Sequence, residues 1–297
     1  LVALALLRVL LGYVSVPLNL VQFGTLLSTV VFISAPIFAL FFAGRYEWTA
    51  KRSLIFVACG LLIHFGIGVG LGHYVFHGSG FAAAVCSALA VQVGFTMWCV
   101  GLGALLASIL KDKNLLIPVS IFLVAFDIFL VLTPLGATNV VLKAMPNVLP
   151  AIGYSIPKMG PAPTTGVIGT FAYIGPADFL FMGMFFAALH RFGMRTKQTL
   201  IWLIPAILVY LVLAIFFRAL PLLVPIGLTV LIVNAREFKM NKEEKSATIG
   251  VAVLLTLLIL ASIAYRKLRP APSPTVVSPA VPIRANSPAP ATPGRHP

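Results

Sequence analysis

Two aspartates, Asp127 and Asp178, are the residues of this sequence best placed to do chemistry. Each sits in a long apolar run with no Lys or Arg within ten positions on either side. A carboxyl group is expensive to keep in such a setting, and its presence points to function. The other five of the seven acids, Glu47, Asp112, Glu237, Glu243 and Glu244, lie in short polar stretches near Lys or Arg and read as solvated charge. Two carboxyls about 3 Å apart cannot both ionise easily, so they share a proton, one serving as acid and the other as base. Such a pair can activate a water for attack on a peptide carbonyl; two membrane-buried aspartates can also form a proton or cation pathway.

The elements that would position them are membrane helices. Of 297 residues, 60% are hydrophobic and 9% charged, against roughly 25% charged in an ordinary soluble domain. A soluble globular protein is thereby excluded. Helices of about 20 apolar residues cross a bilayer, and the hydropathy predicts nine: about 1 to 21 (with Arg8), 26 to 44, 53 to 72, 81 to 110, 115 to 133 (with Asp127), 166 to 190 (with Asp178), 198 to 217, 219 to 233 and 248 to 265. The expected fold is an all-α polytopic bundle over residues 1 to 265. Residues 266 to 297 form a tail whose nine prolines from 270 onward read as extended and disordered.

The net charge of +14 comes from 21 Lys and Arg spread over short loops and the tail, not along one helix or patch, so it reads as topology and not as a nucleic-acid surface. Clusters at Arg45, Lys51 and Arg52, at Lys111 and Lys113, at Arg191, Arg195 and Lys197, and at Arg236, Lys239, Lys242 and Lys245 fall on one side, which is then cytoplasmic. Arg266, Lys267 and Arg269 break that rule if the last span crosses. Counted at helical rise from this side, Asp127 and Asp178 are each 12 residues deep, about 18 Å. The spans that carry them are consecutive, so packing as antiparallel neighbours would bring the carboxyls together. Cys59, Cys86 and Cys99 are dispersed without metal-ligand or disulfide spacing and read as small buried hydrophobes.

Short motifs surround the pair. The chain reads Gly175-Pro176-Ala177-Asp178-Phe179, followed by Met182-Gly183-Met184-Phe185-Phe186-Ala187-Ala188-Leu189-His190-Arg191-Phe192. This resembles the GxGD stretch of the presenilin and signal peptide peptidase family of intramembrane aspartyl proteases. Phe126-Asp127 is similar to that family's Tyr-Asp motif, and Arg218-Ala219-Leu220-Pro221 to its Pro-Ala-Leu motif. The resemblance covers roughly residues 115 to 233. It implies that Asp127 and Asp178 are the catalytic pair of a presenilin-like, multi-pass membrane protease. Gly175, Ala177, Ala219, Leu220 and Pro221 would then shape the substrate site. The partners implied are the transmembrane segments of other membrane proteins within the lipid bilayer, with no metal, organic cofactor or nucleic acid, and the location is the cell membrane.

Three positions depart from the family pattern: Ala177 for a glycine, Phe126 for a tyrosine, and Arg218 for the first proline. The family's aspartates fall on the sixth and seventh spans, here the fifth and sixth, and a further span before Leu1 would align the counts. The inferred orientation is similar to the signal peptide peptidase branch. Pro221 and Pro225 would weaken helical bonding where their span begins, leaving backbone free to pair with an extended substrate.

Other residues carry weaker proposals. His73 and His77 have i, i+4 spacing without the Glu of a zinc-protease helix and read as interfacial. Ser79 with a distant His190 only loosely resembles a serine protease. Two rival functions stand beside the protease: a type IV prepilin peptidase, whose cysteine-rich segment is absent here, and a proton-coupled transporter using both aspartates as a relay, for which no internal repeat is visible.

Overall fold

Long runs of Leu, Val, Ile, Phe and Ala leave the backbone no water to bond, so the chain closes its hydrogen bonds within helices. The structure is a computed structural model that describes residues 1–11, 14, 16–71, 81–132, 148–160, 169–214 and 221–268. His73, His77, Ser79, Arg218, Ala219, Leu220 and residues 269–297 lie outside the described residues, while 266–268, expected as the start of the tail, continue the last helix.

In chain order the elements are α1 (Val2–Leu11), α2 (Val21–Gly44), α3 (Ala50–Leu61), α4 (Phe81–Ile109), α5 (Leu116–Leu132), α6 (Val148–Ile152), β1 (Tyr154–Pro157), β2 (Thr170–Ile174), α7 (Pro176–Arg191), α8 (Thr196–Ala214), α9 (Leu223–Asn234) and α10 (Lys242–Leu268). The Thr49 side chain caps α3 by accepting from the Arg52 N–H, and the helix then loosens into a π-helical stretch over Leu62–Leu71. The turn from α7 to α8 closes with Gly193 at φ 65°, where the Gly193 N–H donates to His190 O and the Met194 N–H to Leu189 O. That pairing needs a left-handed residue, which glycine supplies without strain.

The fold is a mostly helical membrane bundle. Among the described residues, six helices are long and apolar enough to cross a bilayer: Leu18–Gly44, Ala50–Gly70, Val85–Ile109, Lys113–Val131, Thr196–Leu213 and Lys242–Ala261. Three of the nine expected spans meet shorter elements. The first contains the 10-residue α1. The described part of 166 to 190 divides into strand β2 and the 16-residue α7, which ends at Arg191, and the described part of 219 to 233 falls largely in the 12-residue α9, which ends at Asn234. The β1–β2 hairpin, in the register Tyr154 to Ile174 and Ile156 to Ala172, adds a small antiparallel sheet that the apolar pattern concealed.

Helix α7 is the axis of the bundle. Phe179 and every residue from Met182 to Leu189 are buried, and α2, α4, α8 and α9 all pack against it. Close approach on one flank depends on Gly103 of α4, where a Cβ would stand 2.5 Å from Leu180 O and 2.7 Å from Met184 N. Helix α3 and its π-helical extension cover the outer face of α4, with α1 beside them, while α5 packs on α9 and α10. Cys99 is buried in the core, but Cys59 and Cys86 are exposed on the bundle's flank, contrary to the expectation for all three.

Hydrogen bonds bring three of the four basic clusters to one end. One Nη of Arg191 donates to the carbonyls of Ala107, Ser108 and Leu110, closing the C-terminus of α4. At the start of α8, the Arg195 N–H donates to Asn234 Oδ1 and its guanidinium pairs with Glu237 at 3.0 Å. Asn114, just before α5, bonds both the N–H and the C=O of Lys239. The loop from Tyr46 to Trp48 borders the same end through a cavity shared with His190 and Arg191.

Candidate functional site around Asp127 and Asp178

Both aspartates sit at helix N-termini, by different routes. Asp178 is the third residue of α7: Gly175 is the N-cap in extended conformation, Pro176 takes the first helical position, and Asp178 Oδ2 accepts the Gly175 N–H at 3.2 Å. Proline costs nothing there because the first-turn N–H groups have no intrahelical acceptor. The expected continuous span from 166 to 190 is therefore corrected, since Asp178 opens a helix instead of lying in the middle of one. Ala177, beside it, is exposed, and Asp178 is partly buried.

Asp127 lies well inside α5 and is buried. Its Oδ2 accepts the N–H of Leu223, the first residue of α9, at 2.8 Å. The α9 N-terminus is otherwise closed by the Val224 N–H donating to Pro221 O at 3.3 Å, and Pro225 has no N–H to satisfy. Pro221 and Pro225 thus mark where α9 begins instead of kinking a longer helix. Both are buried. The partial positive charge of a helix N-terminus favours a carboxylate, so each aspartate has a local reason to be tolerated inside an apolar bundle.

Counting at helical rise from the basic end, Asp127 is 11 positions along α5, Leu223 is 11 positions from the end of α9, and Asp178 is 13 from the end of α7, or about 16, 16 and 20 Å. The three groups are level to within one helical turn. Helices α5 and α7 do not pack as close neighbours, in contrast to the antiparallel pairing anticipated from their order; α9 touches both and links them. The two carboxyls are nevertheless near enough for Asp178 to experience the charge of Asp127. Gly227 permits the α5–α9 approach, since a Cβ there would meet Val124 Cγ2 at 2.6 Å.

Two further side chains stand around the pair, one of them Cys99, which the sequence marks only as a small buried hydrophobe. Tyr210 of α8 lies within range of the Asp127 charge, and Cys99 of α4 lies within range of Asp178 while its thiol contacts Pro176 O at 3.7 Å. Neither is marked by spacing, because both come from helices remote in sequence. Phe126, next to the first aspartate, is 41% exposed and stacks on Phe122 at 5.5 Å, so it faces away from the bundle interior. Strand β2 runs directly into Gly175, and among the described residues no strand occupies its edge opposite β1. Ala219 and Leu220 lie outside the described residues, while Pro221 adjoins the helix end that Asp127 holds.

No family model matches the chain, and neither does any curated protein or solved structure.

Proposed function

We propose that this multi-pass membrane protein is an intramembrane aspartyl protease of the presenilin and signal peptide peptidase type, hydrolysing peptide bonds in the transmembrane segments of other membrane proteins. The observation that carries the reading is the placement of two carboxyls from separate helices at one level of the bundle, on helices that both touch α9, with Asp178 within reach of the Asp127 charge. In the reaction, one carboxylate takes a proton from water as the water oxygen bonds to the peptide carbonyl carbon. The other carboxyl gives its proton to the carbonyl oxygen. The first carboxyl then passes its proton to the amide nitrogen, the C–N bond breaks, and a hydroxyl proton of the tetrahedral intermediate returns to the second carboxylate, leaving a new carboxyl group, a free amine and the pair in its starting state.

Substrate would lie extended beside the pair. The open edge of β2 offers backbone donors and acceptors that end at Gly175, three residues before Asp178, and an added strand is a general way to hold an unwound peptide. Gly175 and Ala177 border that approach from the α7 side and Pro221 from the α9 side; Ala219 and Leu220 keep the substrate-shaping role that the motif resemblance implies. The nine-span count belongs to this proposal, as does placement in the cell membrane.

The test is cleavage of a single-span substrate by the reconstituted protein. Wild type should cut it, and Asp127→Ala and Asp178→Ala should each reduce the rate by at least about a thousandfold, the scale on which a paired acid and base fail together. Cleavage that survives both substitutions overturns the aspartyl mechanism. Aspartate-dependent proton uptake into sealed vesicles, with no cleavage, would favour the relay reading instead.

A further inference from the structure

At the basic end, away from the aspartates, a shallow cavity of about 460 Å³ opens between the start of α5, the end of α9 and the start of α10. Its floor is apolar, from Ile117, Leu231, Ala235 and Phe238, and its only charged lining groups are Lys239 and Lys245. We propose that this cavity is a binding site for an anionic phospholipid, with the headgroup phosphate between the two ammonium groups and the glycerol and upper acyl chain on the apolar floor. The proposal is independent of the protease reading.

Three observations carry it. Acidic neighbours that could neutralise the lysines are engaged elsewhere: Glu237 pairs with Arg195, and Glu244 accepts from the Asn241 N–H at 3.0 Å and from Asn114 Nδ2 at 3.3 Å. Glu243 is exposed and does not line the cavity, and among the described residues neither Lys239 nor Lys245 has an ion-pair partner. The link that carries Lys239 is also held in place, because Asn114 accepts the Lys239 N–H at 3.2 Å and donates to its carbonyl at 3.1 Å. Finally, the flank leading away from the cavity is apolar and uncovered. Ile232 of α9 is 71% exposed and Ile249 of α10 is 62% exposed, which suits contact with lipid tails.

The chemistry favours a lipid over a soluble anion. Two lysines alone give a modest electrostatic attraction that salt screens, but an amphiphile adds burial of its apolar portion on the cavity floor. Basic pockets between membrane helices on the cytoplasmic side are the general setting for anionic headgroups, and the four basic clusters share this end.

Native mass spectrometry of the full chain in detergent, titrated with phosphatidylglycerol or phosphatidylcholine of matched chains, tests this. Wild type should retain one phosphatidylglycerol at roughly 25-fold lower lipid concentration than the Lys239→Gln/Lys245→Gln variant, at about fivefold per lysine. Phosphatidylcholine should show no such difference. Ala235→Trp, which fills the cavity and leaves both charges, should also abolish retention, whereas Lys51→Gln/Lys197→Gln, placed elsewhere at the same end, should not. Glycerol phosphate at millimolar concentration should fail to displace the lipid. Equal retention by the double-lysine variant, unchanged retention by Ala235→Trp, or displacement by glycerol phosphate alone would each overturn the proposal; size-exclusion profiles matching wild type establish that the variants are folded.

Discussion

Asp127 commits a carboxylate oxygen to the backbone of a different helix, whereas Asp178 bonds the cap of its own. The first is a tertiary contact joining α5 to α9 across 96 residues of sequence, and the second is local, spanning three. Two residues of the same type, at the same level, therefore carry different structural duties. Removing Asp127 should disturb how helices meet, while removing Asp178 should disturb only how one helix begins. Any loss of activity common to both then reports chemistry and not architecture.

The largest expected effect comes from displacing α7, which carries Asp178. Gly103→Leu places atoms where a Cβ alone would be 2.5 Å from Leu180 O. Because that contact is backbone, relief requires moving the helix, at a cost of about 3 kcal/mol or more. The variant should melt well below wild type in detergent and lose any aspartate-dependent activity; a melting temperature within one or two degrees of wild type would show that α4 and α7 are not in close contact.

Next comes the tertiary aspartate. Asp127→Ala leaves the buried Leu223 N–H without its acceptor, a loss of about 1–3 kcal/mol, while Asp127→Asn keeps an oxygen in place and should recover most of that stability without recovering activity. If alanine and asparagine melt alike, the Asp127–Leu223 bond contributes nothing and the contrast between the two aspartates disappears. Asp178→Ala removes a first-turn acceptor and should cost about 1 kcal/mol or less, measured by the same melts. A larger loss than that of Asp127→Ala would reverse the comparison.

The smallest effect is expected at Gly175→Ala. Its Cβ would be 3.4 Å from Asp178 Oδ2, an ordinary contact, and the backbone there is extended, so stability should change by no more than about 0.5 kcal/mol. A clear drop in cleavage with unchanged melting would place the defect in substrate approach, sharpening the role proposed for the face of β2 and α7.

The aspartates could be found in the sequence because charge is scarce in apolar runs and because helical rise converts position into height. Their level survives in the structure. Their surroundings could not be read in the same way, since the α5–α9 link uses the N–H of Leu223, and backbone groups leave no trace in residue type. Some missed structure did have a signal. Gly175-Pro176 followed by Asp178 has the form of a helix start, with proline at the first position and an acid in the first turn, yet hydropathy alone ran the span straight through it. Strand β2, Thr170-Phe171-Ala172-Tyr173-Ile174, is rich in aromatic and β-branched residues but is as apolar as a membrane helix. His64, buried between the carbonyls of Val91 and Ala151 at 3.0 Å each, went unmarked because a single histidine has no spacing to reveal it.

The shortness of α7 bears on how the bundle is made. A segment of 16 residues preceded by a hairpin is a poor membrane-insertion signal by itself, yet Phe179 and the whole run from Met182 to Leu189 end up buried. Its seat is lined on one side by α2 and α4, which are synthesised earlier, and closed on the other by α8 and α9, which follow. Biogenesis should therefore hold an open berth until α7 arrives, and Asp127 gains its Leu223 N–H partner only once α9 is in place.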